Sequence, residues 1–157
     1  MIRIREMNLD DIERVLEIER VSFARPLSRN SLEKELTNND IARYYLLEDK
    51  EDILGYFGFW IIGSQGHILN IAVDKKYRSK GYGKELVKNL IEKAAKENIS
   101  QLTLEVRESN EAARNLYRLF NFKELGQRPN YYSDPKEDAI IMWLDMEENC
   151  GNNQPSN

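Results

Sequence analysis

The chain is short of the residues from which redox, metal and nucleophilic chemistry is usually built. It holds one cysteine, Cys150, set in the polar run EENCGNNQPSN. A single cysteine cannot form an internal disulfide, and in such a tail it makes a poor nucleophile or metal ligand. It also holds one histidine, His67. A Ser-His triad or zinc cluster would rest on that residue alone, so it reads as a strand residue and no metal site is expected. Long apolar runs are missing: nothing reaches the length of a membrane span, and MIRIREMNLDD lacks the apolar stretch of a signal peptide. The expectation is a cytoplasmic protein with no membrane partner. Positive charge is not in excess either. The net charge of −4 gives no support to direct nucleic-acid binding. What is present, 157 residues with 41% hydrophobic and 32% charged, describes an ordinary globular chain. Residues 1–146 are expected to form one domain and residues 147–157 a polar, disordered tail.

Periodicity then orders the chain. IRIRE alternates like a short strand, and NLDDIERVLEIERVSF follows with Ile12, Val15, Leu16 and Val21 at helical spacing. SRNSLEKEL reads as a second helix. ARYYLLED, ILGYFGFWII and HILNIAVD read as strands joined by DKED and GSQG. From Gly81 the period changes, and Leu86, Val87, Leu90, Ile91, Ala94 and Ala95 make one helical face. QLTLEVR is a strand, SNEAARNLYRLF a helix, and FKELGQR with DAIIMWLDM a closing pair. The order β-α-α-β-β-β-α-β-α-β-β predicts an α/β (α+β) fold: a mixed, mostly antiparallel twisted sheet of about seven strands with helices on both faces.

The stretch AVDKKYRSKGYGKELV carries chemistry. A strand ending at Val73, a basic loop and a helix starting near Gly81 form an anion-binding geometry. The first amides of a helix lack carbonyl partners, and glycine lets a phosphate approach without meeting a Cβ. Arg78, Lys80 and Lys84 add charge. The same loop also reads as a plain strand-to-helix turn with a solvated basic rim. Two nucleotide motifs do not fit. A Walker loop fails because Lys84 is followed by Glu85 and position 78 is arginine. A dinucleotide fingerprint fails at Leu86, where a third small residue is needed.

RSKGYG resembles the Q/R-x-x-G-x-G/A loop of the GNAT superfamily of acyl-CoA-dependent N-acetyltransferases. HILNIAVDKKYRSKGYGKELV, LTLEVRESNEAARNLYRLFNF and NYYSDPKEDAIIMWL together resemble its RimI branch, the ribosomal-protein-alanine N-acetyltransferases, over roughly Ile2 to Met146. The resemblance implies the GNAT fold and acetyl-CoA as co-substrate. It implies a diphosphate held around Arg78, Ser79, Lys80, Gly81, Tyr82, Gly83 and Lys84, and a thioester carbonyl polarised by backbone at Ile71, Ala72 or Val73. It implies Glu105 as general base and Tyr117 as general acid. Glu105, between Leu104 and Val106, faces away from both by strand alternation, and otherwise reads as an exposed strand carboxylate. Tyr117 shares a helical face with Ala113, Leu116 and Phe120 and otherwise reads as a core aromatic. Asn110 caps its helix, contacts coenzyme A, or does both.

For the acceptor, the resemblance implies a peptide groove shaped by Pro26, Ser28, Asn130, Tyr131 and Tyr132. Pro26-Leu27-Ser28 departs from the family's usual Pro-Trp-Ser, and the tyrosines otherwise close the protein's own loop. The expected activity is direct transfer of acetyl to the N-terminal alanine of a small-subunit ribosomal protein. Acetylation of a polyamine, another free amine or a lysine is the alternative, and a non-catalytic acyl-CoA-binding module a second. The expected assembly is a monomer or weak dimer, with a tRNA-modification complex as a possible partner.

Overall fold

A computed structural model describes residues 1–50 and 52–147; of the tail expected at 147–157, residues 148–157, Cys150 among them, lie outside the described residues. Seven strands and four α-helices follow the expected order: β1 Ile2–Glu6, α1 Ile12–Ser22, α2 Arg29–Thr37, β2 Ala42–Asp49, β3 Asp52–Ile62, β4 Gln65–Val73, α3 Tyr82–Lys96, β5 Gln101–Arg107, α4 Glu111–Leu119, β6 Lys123–Tyr132 and β7 Glu137–Asp145. They form one sheet ordered β1-β2-β3-β4-β5-β7-β6. All pairings are antiparallel except β4 with β5.

Strand alternation divides the core between the two faces. Tyr44 and Leu46 of β2 join Ile12, Val15, Leu16, Ile18 and Leu32 of α1 and α2 on one face. Tyr45 and Leu47 join Leu86, Val87, Leu90 and Tyr117 of α3 and α4 on the other. Each fully buried Leu, Ile or Phe contributes about 1.5–3 kcal/mol. Among the described residues no helix is long and apolar enough to cross a membrane.

Three departures from the periodicity reading have a geometric cause; one is Ala95, expected on the apolar face of α3 but exposed, about two and a half turns beyond Leu86. Val21 was expected on the apolar face of α1 but is 53% exposed. It lies about two and a half turns beyond Ile12, on the opposite side of the helix. The position that does align is Glu19, about two turns on, and it is buried. The last hairpin is also longer than FKELGQR implied. β6 continues through Pro129 to Tyr132, with irregular register between Glu124 and Gly126 and between Arg128 and Tyr132.

Two irregularities open the sheet at its centre. The parallel β4–β5 ladder holds only at Gln65–Gln101, Gly66–Leu102 and His67–Thr103. Both strands run on without pairing to each other, so a wedge opens between Ile68–Val73 and Leu104–Arg107. At the mouth of that wedge β4 carries a bulge. Gly58 faces Asn70 and Phe59 faces Ile68, which leaves Leu69 as the extra residue.

Candidate active site

One wall of the wedge is β4 beyond its bulge. Ile71, Ala72 and Val73 pair on one side with Phe57, Tyr56 and Gly55 of β3 and have no β5 partner on the other. The chain then passes through a short 3-10 turn at Lys75–Tyr77 into α3. Asp74 caps that turn, accepting from the Lys76 amide at 3.2 Å, and Arg14 of α1 pairs with the Asp74 carboxylate. The connection is therefore fastened before it reaches the glycines.

The start of α3 is open. Gly81 occupies its N-cap position at φ 87° with no side-chain cap, and Ser79 is left-handed at φ 65°. The first intrahelical bond runs from the Glu85 amide to the Gly81 carbonyl at 3.3 Å, so the amides of Tyr82, Gly83 and Lys84 have no carbonyl partner in the helix. A Cβ added at Gly81 would meet nothing within 4 Å, whereas one at Gly83 would lie 3.3 Å from Leu116 Cδ2 of α4. Gly81 thus supplies backbone conformation and open space, while Gly83 lets α3 and α4 approach. Lys80 and Lys84 are exposed, Lys80 with its Nζ 6.0 Å from the Tyr77 ring centroid, and Tyr82 packs half-buried against the core. The exposed Arg78 folds back onto the chain, donating from Nε to the Val73 carbonyl at 3.1 Å and from a terminal nitrogen to Ser22 Oγ at 3.0 Å.

The other wall carries Glu105. Its neighbours Leu104 and Val106 are buried in the core, and Glu105 looks out of the sheet as alternation requires. His67 Nε2 lies 2.8 Å from Glu105 Oε1, and the Tyr131 hydroxyl 3.5 Å from the same oxygen. A carboxylate offers no hydrogen, so Nε2–H is the donor in this bond. The His67 bond, assisted by the charge of Arg128 and against the cost of burial, holds the Glu105 carboxyl below its usual range. Sequence reasoning took His67 as a strand residue, which it is, but missed this partner. The signal is spatial: His67 and Thr103 are opposite at the last rung of the parallel ladder, two residues short of Glu105.

Tyr131 and Tyr132 meet edge to face with centroids 5.0 Å apart. The Arg107 guanidinium lies 4.4 Å from the Tyr132 ring centroid and binds the Ser133 and Pro135 carbonyls at 3.1 and 2.9 Å, fixing the β6–β7 turn. Burial pushes the Tyr132 phenol up to about 12. Asn130 is left-handed at φ 55°, exposed, with its amide on Asp138 Oδ1 at 2.8 Å. Tyr117 of α4 is buried against Phe122, and burial, then the nearby Tyr132, raises its phenol well above the usual value.

The remaining predicted residues serve as caps or lie on the surface. Asn110 caps α4, its Oδ1 accepting from the Ala113 amide at 3.1 Å. Ser28 caps α2, accepting from the Ser31 amide at 3.1 Å, and Pro26 is exposed. Beside them, Arg25 pairs with Asp134 at 2.9 Å, joining the α1–α2 connection to the β6–β7 turn. The structure therefore gathers Glu105, His67, Tyr131 and Tyr132 on one side and the open end of α3 with bulged β4 on the other.

The sequence pattern of the acetyltransferase (GNAT) family matches residues 11–122. The chain belongs to that family. As a GNAT protein it is similar along nearly its whole length to bacterial relatives. A Bacillus subtilis (strain 168) protein, provisionally named ribosomal protein bS18-alanine N-acetyltransferase, is 39% identical over 145 residues, 92% of this chain and 96% of the relative. The Escherichia coli (strain K12) protein named ribosomal protein bS18-alanine N-acetyltransferase is 34% identical over 148 residues, covering 92% and 97%. The crystal structure of the ribosomal-protein-S18-alanine N-acetyltransferase from Escherichia coli superimposes with a TM-score of 0.85 at 31% identity, covering 93% of this chain and 94% of the other. GNAT acetyltransferases use acetyl-CoA, and the uncapped amides beside open space at Gly81 suit a diphosphate.

Proposed function

We propose that this protein acetylates the α-amine of a protein N-terminus from acetyl-CoA, and that the acceptor is the N-terminal alanine of a small-subunit ribosomal protein. The observation that carries the reading is one wedge with an anion-binding helix end on one wall and a carboxylate–imidazole pair on the other. The acceptor's identity is supported by the names of the full-length relatives.

Acetyl-CoA supplies an activated acetyl thioester when bound. The amides of Tyr82, Gly83 and Lys84 would hold its diphosphate, with Ser79 and Gly81 shaping the loop and Lys80 and Lys84 adding charge. Arg78 acts on this site by tying the loop to the end of β4. Backbone amides at Ile71, Ala72 or Val73 face a gap left by β5 and would meet negative charge developing on the carbonyl oxygen. Such donors are worth about 3–4 kcal/mol each. Asn110 acts first as a helix cap.

An α-amine has a pKa near 8, so at neutral pH most of it is protonated and must lose that proton to attack. Glu105, held below its usual range, is ionised and attracts the ammonium but is by itself weakly matched to take its proton. His67 fixes the carboxylate in the wedge through the 2.8 Å bond from Nε2 to Oε1. Glu105, directly or through water, is the proposed proton acceptor, with His67 as the group that positions it. Tyr117 keeps its proton at neutral pH, and its role is to donate a hydrogen bond to the departing sulfur. Asn130, Tyr131 and Tyr132 from β6, with Pro26 and Ser28 from the α1–α2 connection, would shape the peptide groove. Transfer is direct: Cys150 is the only cysteine, and Cys150→Ser should leave turnover unchanged. The proposed setting is the cytoplasm, with the chain a monomer or weak dimer.

The test is release of coenzyme A from acetyl-CoA with peptides bearing free or blocked N-termini, and with spermidine and a lysine peptide. Release with the free α-amine alone supports the proposal. Release only with spermidine or lysine overturns the acceptor, and binding without any turnover points to an acyl-CoA-binding module.

A further inference from the structure

We infer that Glu19 is a positioning residue of the acceptor site, whose buried carboxylate fixes the α1–α2 connection against the bulged segment of β4. The inference rests on the acceptor reading above, because Pro26 and Ser28 lie in that connection.

Glu19 is 1% exposed and stands in line with Ile12 on the core face of α1. Its carboxylate gathers donors from three elements. The Leu27 amide reaches Oε1 at 2.8 Å, Asn70 Nδ2 reaches Oε2 at 3.4 Å, and the Tyr56 hydroxyl of β3 donates to Oε2. No cationic side chain among the described residues offsets it, and burial pushes the carboxyl up to about 7. A leucine would fill this stripe without that cost, so packing alone gives no reason for an acid here.

The contacts supply one. The connection leaves α1 at Ser22 and enters α2 at the Ser28 cap. Its backbone is held at both ends by Glu19: the Phe23 amide donates to the Glu19 backbone carbonyl at 3.0 Å and the Leu27 amide to its side chain. On the other side Asn70 sits between the bulged Leu69 and Ile71, where the β4 backbone parts from β5. Leu27 and Leu69 pack on the same core cluster. One carboxylate thus sets the spacing between the acceptor connection and the strand proposed to polarise the thioester. The consequence belongs to acceptor binding. Glu19 makes no hydrogen bond to the open end of α3, so the diphosphate site, which the acetyl-CoA KM reads, should change least.

The experiment compares wild type, Glu19→Gln, Glu19→Asp and Glu19→Ala by steady-state kinetics, with a free-α-amine peptide and acetyl-CoA varied separately. Hydrogen exchange of residues 23–28 is followed on the same proteins. Gln keeps a carbonyl for the Leu27 amide and an NH2 that the Tyr56 hydroxyl can accept, and that Asn70 can accept once its amide turns to present Oδ1, so peptide KM should stay within about threefold. Asp withdraws the carboxylate and Ala removes it. Both should raise peptide KM about tenfold while acetyl-CoA KM stays within about twofold, and exchange should speed up at 23–28 and not in α3. Unchanged peptide KM in folded Asp or Ala, equal rises in both KM values, failure of both variants to fold, or failure of Gln to rescue would each overturn the inference. The exchange measurement needs no substrate. Accelerated exchange with no wild-type turnover of the peptide would sink the acceptor reading and spare the tether, whereas unaltered exchange sinks the tether itself.

Discussion

At the scale of single residues, Glu105 and His67 form the pair on which the proposed chemistry turns. The hydrogen bond from His67 is the largest influence holding the Glu105 carboxyl down. His67→Ala should therefore raise the Glu105 pKa, a change that carboxyl NMR titration detects directly; an unmoved value would separate the two groups. A carboxyl depressed in the folded state adds stability that is present above its unfolded value and lost as pH falls through the folded one. Glu105 is thus already ionised throughout the neutral range, and the rise of kcat/KM with pH should follow the acceptor amine near pH 8 instead. Glu105→Gln should lower kcat by about 10²–10⁴ with acetyl-CoA binding retained, the usual span for proton transfer. A limb that moves in Glu105→Gln, or that ignores a change in the acceptor's own pKa, would contradict this assignment. Tyr117 carries a different expectation. Its phenol is held above the usual value by burial, so Tyr117→Phe should lower kcat by the worth of a hydrogen bond, about tenfold, without adding a pH-dependent limb in the neutral range.

At the scale of elements, the end of α3 separates two glycines that sequence alone treats alike. Gly81 needs the left-handed region, where a Cβ costs roughly 1–2 kcal/mol, although the space before it is open. Gly83 is helical and meets only the flexible tip of Leu116. Gly81→Ala should therefore destabilise by about 1 kcal/mol and weaken coenzyme A binding in calorimetry. Gly83→Ala, gaining helix propensity against a small clash, should stay within about 0.5 kcal/mol in urea unfolding. Equal losses at both positions would contradict the division of labour. The helix itself was largely legible: of the six residues its apolar period predicted, Leu86, Val87, Leu90 and Ala94 are buried and Ile91 half-buried, while Ala95 is exposed. On the opposite face of the sheet, α1 was legible except at its end, where hydrophobicity favoured Val21 over Glu19 because composition carries no direction around a helix. The Glu19 contacts were out of reach for another reason. Tyr56 and Asn70 are 37 and 51 residues away, and only the packing of α1 on β3 and β4 brings them together. His67 and Glu105 are the same case, 38 residues apart.

For the whole molecule, titration of the buried acids gives stability two opposing slopes. Asp11 and Glu48, buried beside Arg5, are held below their usual range in the folded state, as are Glu105 and Glu137. Their contribution is present above the unfolded carboxyl values and disappears as the solution becomes more acidic. Glu19 works in the other direction. Its carboxyl stands at about 7 when folded against 4.5 for the free group, so between those values the folded chain holds a proton that the unfolded chain has released. Stability from this group is complete below pH 4.5 and is lost as pH rises through 7. The two slopes meet near pH 5, where thermal unfolding should be latest. Between pH 5 and pH 8 the wild type should lose roughly 2–3 kcal/mol through Glu19, because each tenfold difference in proton affinity between the folded and unfolded chains is worth about 1.4 kcal/mol. Glu19→Gln, with nothing to ionise at that place, should show a flatter profile across the same interval while keeping the acid limb intact. Calorimetric unfolding of the two proteins at half-unit steps of pH decides it. Parallel profiles would mean that Glu19 is charged in the folded chain at pH 5 already, with its three donors outweighing the burial that opposes them.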